Sequence, residues 1–124
     1  MKADQTETVG FAKLGGEECG AARTRPIDLA HLSRQTLGDR AVEQEVLSLF
    51  MHQTATVHEK ICAAGSDERR KLAHGLRGSA LGIGAMAVAE AASAVETDPG
   101  SKGLVRSLSR RIEEVREFIA AISR

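Results

Sequence analysis

Leu72-Ala73-His74-Gly75-Leu76-Arg77-Gly78-Ser79-Ala80-Leu81-Gly82-Ile83-Gly84-Ala85 is the stretch whose reading decides the fold. At about 100° per residue it is a helix with two unlike sides. Leu72, Leu76, Ser79 and Ile83 fall on one side, and His74, Arg77, Gly78 and Leu81 fall on the other. The histidine therefore points away from the apolar stripe, toward water or a partner. Gly78 follows it at i+4, where side chains stack along a helix. A glycine there removes the side chain that would stand beside the imidazole. Each glycine inside a helix costs about 1 kcal/mol relative to alanine, and Gly75 adds a second such cost next to the ring. A helix that accepts both around an exposed histidine offers something close access to that ring. Arg77, at i+3, is within reach of whatever the ring carries.

Outward from this helix the chain punctuates itself. Ser66 reads as the cap of the His74 helix, with Asp67 and Glu68 in the first turn, where the positive dipole end favours acids. Upstream, Asp28 caps a short helix carrying Leu29, Leu32 and Leu37, with Gly38 as its stop. Asp39 caps a long one whose stripe is Val42, Val46, Leu49, Phe50, Val57 and Ile61, ending before Gly65. Downstream, the His74 helix stops near Gly82 to Gly84, and a helix rich in small residues runs from Ala85 to Glu96. Asp98-Pro99-Gly100 is a turn, and Ser101 caps the last helix. There Leu104, Leu108, Ile112, Val115, Ile119 and Ile122 recur at threes and fours, with Arg110 and Glu114 spaced to pair at i,i+4. No run reads as a strand and the connections are short. The expected fold is all-α, an antiparallel up-down four-helix bundle with a short leading N-terminal helix, over residues 27–124. Residues 1–26, with Gly10, Gly15, Gly16 and Gly20 among charges, read as a flexible N-terminal tail, with packing of Phe11 on the bundle as the alternative.

His74-Gly75-Leu76-Arg77-Gly78-Ser79, followed by Gly84-Ala85, resembles the signature of histidine-containing phosphotransfer (HPt) domains of bacterial phosphorelays. Members of that family usually read His-x-Leu-Lys-Gly-Ser, then Gly-Ala, then a leucine, a small residue and an acid down the next helix. Val88, Ala92, Val95 and Glu96 form that continuation here. Arg77 replaces the usual lysine and keeps its charge. Gly75 stands where threonine is common, and Gly82 where asparagine is common. The likeness extends upstream through Asp28, Leu32 and the Glu45-Val46-Leu47-x-x-Phe50 stretch, and it covers residues 27–122. It implies the same four-helix bundle and a phosphorelay intermediate with His74 as phosphoacceptor. It further implies a partner that is a response-regulator receiver domain or a hybrid histidine kinase, with Mg²⁺ on the partner receiver and no cofactor on this chain.

The chemistry is within reach of these residues. Histidine titrates near neutrality, so a neutral imidazole nitrogen is a nucleophile that needs no separate base. Phosphoryl transfer is mostly positioning and charge stabilisation. Arg77 is the candidate for that charge, since a guanidinium binds phosphate through parallel hydrogen bonds. Arg69, Arg70 and Lys71 make the neighbourhood basic, which suits an acidic receiver pocket. Gly75 and Gly78 provide access, and Leu81 is an apolar docking contact or packs on a neighbouring helix. Ser79, on the buried side, is structural support through a hydrogen bond inside the bundle. A histidine or a basic run on a polar helix face is by itself only solvated. The paired glycines, Arg77 and the extended pattern set this one apart.

Composition bounds the alternatives. At 124 residues the chain is one domain, too short to hold a kinase with its own nucleotide-binding domain. It has no Trp or Tyr and three Phe, so its core must be aliphatic. Seventeen basic and 17 acidic residues cancel, which argues against a general nucleic-acid binder. Cys19 and Cys62 make no metal or redox spacing, and Cys62 is expected to be a buried thiol. His58 and Cys62, at i,i+4, are at most half of a metal site, so no metal is expected. With neither a long apolar run nor an apolar signal core, a cytoplasmic monomer away from membranes is expected. Three functions remain: a phosphorelay carrier, an HPt-like module that binds a receiver or kinase without carrying phosphate, and a plain helical bundle. The intact histidine favours the first.

Overall fold

A computed structural model of the chain describes residues 25–123. The sequence expectations for the tail, including Phe11 and Cys19, lie outside the described residues. Within them the chain is all-helical, with no strand. The helices are α1 (Leu29–Gln35), α2 (Arg40–Ala63), α3 (Ser66–Ile83), α4 (Met86–Thr97) and α5 (Lys102–Ile122). No helix among the described residues is long and apolar enough to cross a membrane.

Local chemistry starts three of these helices. Asp28 accepts from the His31 N–H at 3.1 Å, Asp39 from Val42 at 3.1 Å and Ser101 from Leu104 at 3.2 Å. Each such cap is worth about 1 kcal/mol. Ser66 is not the cap of α3. Gly65 holds that position with no side-chain bond, because Ala64 and Gly65 run extended and place Ser66 already inside the first turn.

The helices pack in neighbouring pairs, α2 with α3, α3 with α4, α4 with α5, and α5 back onto α2, while α1 lies on α3. Side-chain bonds join the pairs at particular levels. Gln53 Nε2 of α2 donates to Ser79 Oγ of α3 at 2.8 Å, and Arg69 Nε near the start of α3 donates to the Ile61 carbonyl near the end of α2 at 2.8 Å. His58 of α2 bonds Ser109 of α5, and Ser123 beyond the end of α5 donates to Gln44 near the start of α2. The core between them holds Leu47, Phe50 and Ile61 of α2, Ala73, Leu76, Ala80 and Ile83 of α3, Val88, Ala92 and Val95 of α4, and Leu108, Ile112, Val115 and Ile119 of α5. Ile27, ahead of α1, is fully buried with them.

Several expectations shift. The α2 core stripe runs through Leu47, Phe50, Thr54 and Ile61, which leaves Val42 and Leu49 exposed. α1 ends at Gln35, so Leu37 lies beyond it, 93% exposed at φ 55°. There Gly38 N–H donates to the Ser33 carbonyl and Leu37 N–H to Arg34, the two bonds of a Schellman stop, which put Leu37 where glycine is usual. Cys62 is exposed, because it sits next to the buried Ile61 on α2 and a one-residue step turns it outward. Glu114 is held by Arg111, not Arg110, through two bonds at 3.0 and 2.9 Å. At i,i+3 Arg111 flanks the buried Ile112 and leans toward Glu114.

Gly84 closes α3 in the left-handed region at φ 87°. The Asp28 N–H donates to its carbonyl at 2.9 Å, and His31 Nε2 bonds the Gly82 carbonyl at 3.2 Å, so α1 is fastened to the end of α3. A Cβ at Gly84 would lie 3.0 Å from the Asp28 carbonyl oxygen and 3.2 Å from the His31 ring. Gly84→Ala should therefore cost about 2–4 kcal/mol, from left-handed strain together with the clash. A small domain loses roughly 4–8 °C of melting temperature per kcal/mol, so thermal melts read this directly. A variant melting with the wild type would mean that α1 detaches freely and adds nothing to stability.

Candidate functional site

His74 sits in the middle of α3 on the side turned away from the core residues Ala73, Leu76, Ala80 and Ile83. Its side chain is 63% exposed. Lys71, Gly75, Gly78, Leu81 and Gly82 are exposed on the same outer surface. Cβ atoms built at Gly75, Gly78 or Gly82 meet nothing within 4 Å among the described residues. None of these glycines is there to let another helix approach. Together they leave a strip free of side chains beside the ring, between His74 and α2, with Leu81 at its edge, 45% exposed.

α4 supplies the other half of the site. The chain reverses at Gly84, so the end of α4 lies beside the first half of α3. Glu96 Oε2 is 2.8 Å from His74 Nδ1, and Glu96 Oε1 is 3.7 Å from Arg77 Nε. Arg70 Nε donates to the Glu96 carbonyl at 3.4 Å, and its Nη1 reaches Asp67 at 3.5 Å. The Glu96 carboxylate thus lies between the imidazole and the guanidinium. It is only 26% exposed, sheltered in the α3–α4 seam. Arg77 is half-buried at that seam. Its Nε is buried with no hydrogen-bond partner among the described residues, which leaves the carboxylate at 3.7 Å as its nearest counter-charge.

The remaining sequence candidates divide. Ser79 accepts from Gln53 across the α2–α3 seam. Arg69 is taken up by structure: its guanidinium donates to the carbonyls of Ile61 and of Pro99, the latter at 2.7 Å, and clamps the start of α3 to the end of α2 and to the turn before α5. Lys71 is exposed near His74 and forms no ion pair among the described residues. His58 bonds Ser109 and lies 3.5 Å from Cys62 Sγ. No group of three or more metal-ligating side chains comes together among the described residues.

Glu96 is the residue whose part sequence reasoning missed. The pattern includes it as the acid on the following helix and assigns it nothing. The available signal is its distance past the Gly84 turn, which is close to that of His74 before it. A chain that doubles back there brings both to one level.

Chemically, the arrangement offers an exposed imidazole with one nitrogen engaged by a carboxylate and the other, Nε2, without a partner among the described residues. A guanidinium stands one turn away, over open ground that another molecule can occupy. Comparison with known proteins returns no match: no family model, no curated protein and no solved structure is significantly similar to this chain.

Proposed function

We propose that this chain is a phosphorelay intermediate of the HPt kind. His74 accepts a phosphoryl group from a receiver-domain aspartate or a kinase and passes it to another receiver. The observation that carries this reading is the exposed His74 ring, held at one nitrogen, beside the empty strip over Gly75, Gly78 and Gly82. A solvated histidine with no task needs neither the carboxylate nor the helix-weakening glycines.

The ring of helix contacts and the paired bonds along α2–α3, α3–α4 and α2–α5 support an antiparallel four-helix bundle with α1 as the short leading helix. In that frame the chain supplies nucleophile and cation. The partner receiver, acidic and Mg²⁺-bearing, supplies the phosphoryl group and most of the charge stabilisation. Lys71 and Arg70 attract it, and Leu81 provides an apolar contact beside the ring. The setting is cytoplasmic, with the chain acting as a monomer.

The test is to incubate the protein with phosphorylated receiver domains from the source organism. Acid-labile label should move onto the chain from at least one of them. A receiver that binds but transfers nothing would support a docking module instead, and no binding at all would leave a plain helical bundle.

Arg77 makes a second expectation. Its guanidinium is half-exposed one turn from the ring, and its terminal nitrogens can meet the phosphoryl oxygens. Arg77→Ala should slow transfer by about ten- to hundredfold, the worth of one charge-assisted contact at about 1.5–3 kcal/mol, with the fold intact. An unchanged transfer rate in rapid-quench assays would show that Arg77 only balances Glu96.

A further inference from the structure

We propose that the open groove along α4 and α5 is the seat of this chain's own N-terminal segment, residues 9–14, with Phe11 and Leu14 packed against its apolar floor. No residue of the His74 site lines this groove. The docking therefore stands or falls apart from the phosphorelay reading.

The groove exists because α4 is apolar on two sides. Val88, Ala89, Ala92 and Val95 pack into the core, while Met86, Ala87, Ala91 and Ala94 line the groove. A helix that is apolar all round is normally covered all round. Met86 is 40% exposed, and Leu29, Leu104 and Phe118 along the same groove are only partly buried. From Met86 to Ala94 the floor runs about 12 Å along the helix. A contiguous apolar face of this kind marks a place where something binds.

The chain itself leads there. The Asp28 N–H bond to the Gly84 carbonyl, at 2.9 Å, sets this part of the chain beside the start of α4. Arg25 and Pro26, just ahead of it, already line the groove. Residues 1–24 precede them, and their large apolar side chains are Met1, Val9, Phe11 and Leu14. Residues 15–24 join Leu14 to Arg25, and that length of chain spans at most about 35 Å. Residues 9–14 can thus lie anywhere along the floor. Because the segment is tethered, its effective concentration at the groove is on the order of 1 mM, and a few apolar contacts suffice to hold it. The charges agree as well. Glu90 and Glu117 stand exposed among the lining residues, and Lys13 is the one charged residue between Val9 and Leu14.

The methionines make the test. Met86 lies in the groove, and Met51 lies on α2, outside it. In the full chain with ¹³C-labelled methionine methyls, Phe11→Ala should shift the Met86 signal and leave that of Met51 in place. It should also lower the melting temperature by roughly 4–8 °C, the loss expected for exposing much of one large apolar side chain. Ala87→Arg places a long charged side chain at an exposed position of the groove and should give the same drop. The double variant should melt no lower than Phe11→Ala alone, because both changes remove one contact. A Met86 signal and a melt that ignore Phe11→Ala would overturn the assignment. So would a shift at Met51 instead of Met86, or melting losses from the two variants that simply add. The Met86 shift should not depend on protein concentration. One that appears only as concentration rises would give the groove to a second copy of the chain and overturn the tail as its occupant.

Discussion

A His74→Gln protein should fold as the wild type does and take no acid-labile phosphoryl label from any receiver. Glutamine carries no nucleophilic nitrogen, so the loss is complete rather than graded. It is also a good helix former, and at a side chain 63% exposed the one polar contact to replace among the described residues is that at 2.8 Å to Glu96, which its amide can still reach. Surface exchanges of this kind stay within about 0.5 kcal/mol, so the melting temperature should hold within about 4 °C. The comparison discriminates because the chain carries other imidazoles. His31 is bonded to the Gly82 carbonyl and His58 to Ser109, which ties both rings into the packing. His52 is the nearest rival, exposed on α2 with Nδ1 on the Ser48 carbonyl and Nε2 without a partner among the described residues. One turn beyond it, however, stands the β-branched side chain of Thr56, where His74 has Gly78. Label that persists in His74→Gln and vanishes in His52→Gln would move the acceptor to α2 and remove the reading of α3.

The parts of the fold written in local chemistry were legible. Asp28, Asp39 and Ser101 cap the helices they were expected to cap, because a cap is decided by a side chain and an N–H three residues away. The outward direction of His74 was legible for a similar reason: Leu72, Leu76, Ser79 and Ile83 mark one side of the helix without help from the rest of the chain, and Leu76 and Ile83 are buried there together with Ala73 and Ala80. What periodicity could not give was the centre of a stripe that several helices share. On α2 both Leu49 and Phe50 fit a helical repeat, and only the positions of α3 and α5 decide that Phe50 goes in and Leu49 stays out. Cys62 beside Ile61 repeats the lesson. Leu37 shows another limit, since the stop of α1 uses a leucine in a conformation for which Gly38 was the natural reading. In the site, His74 and its glycines stood in one helix and could be read together. Glu96 is harder to read with them, because its contact depends on how the chain turns at Gly84, where the Gly84 and Ala85 N–H groups donate to the Leu81 and Ala80 carbonyls.

Gly78 should separate access from packing more sharply than any other position. Nothing among the described residues lies within 4 Å of a Cβ placed there, so an added side chain starts out clear of the neighbouring helices. Gly78→Leu removes the helix cost of glycine, about 0.8 kcal/mol, and the melting temperature should hold or rise. Side chains on a helix lean toward its N-terminus and cover the preceding turn. A leucine at 78 therefore leans over His74, across the ground from which a partner's active site must approach Nε2. Misplacing reacting groups by about 1 Å costs on the order of hundredfold, and a leucine is thicker than that. Transfer should fall at least about hundredfold in Gly78→Leu and less in Gly78→Ala. The Nδ1 contact with Glu96 should persist in both, since it lies at the α3–α4 seam and not over Gly78. Melting curves and receiver transfer measured on the same preparations give the answer. A stabilised Gly78→Leu protein that accepts phosphate at the wild-type rate would mean that no partner closes over this strip. The glycines at 75, 78 and 82 would then need another explanation.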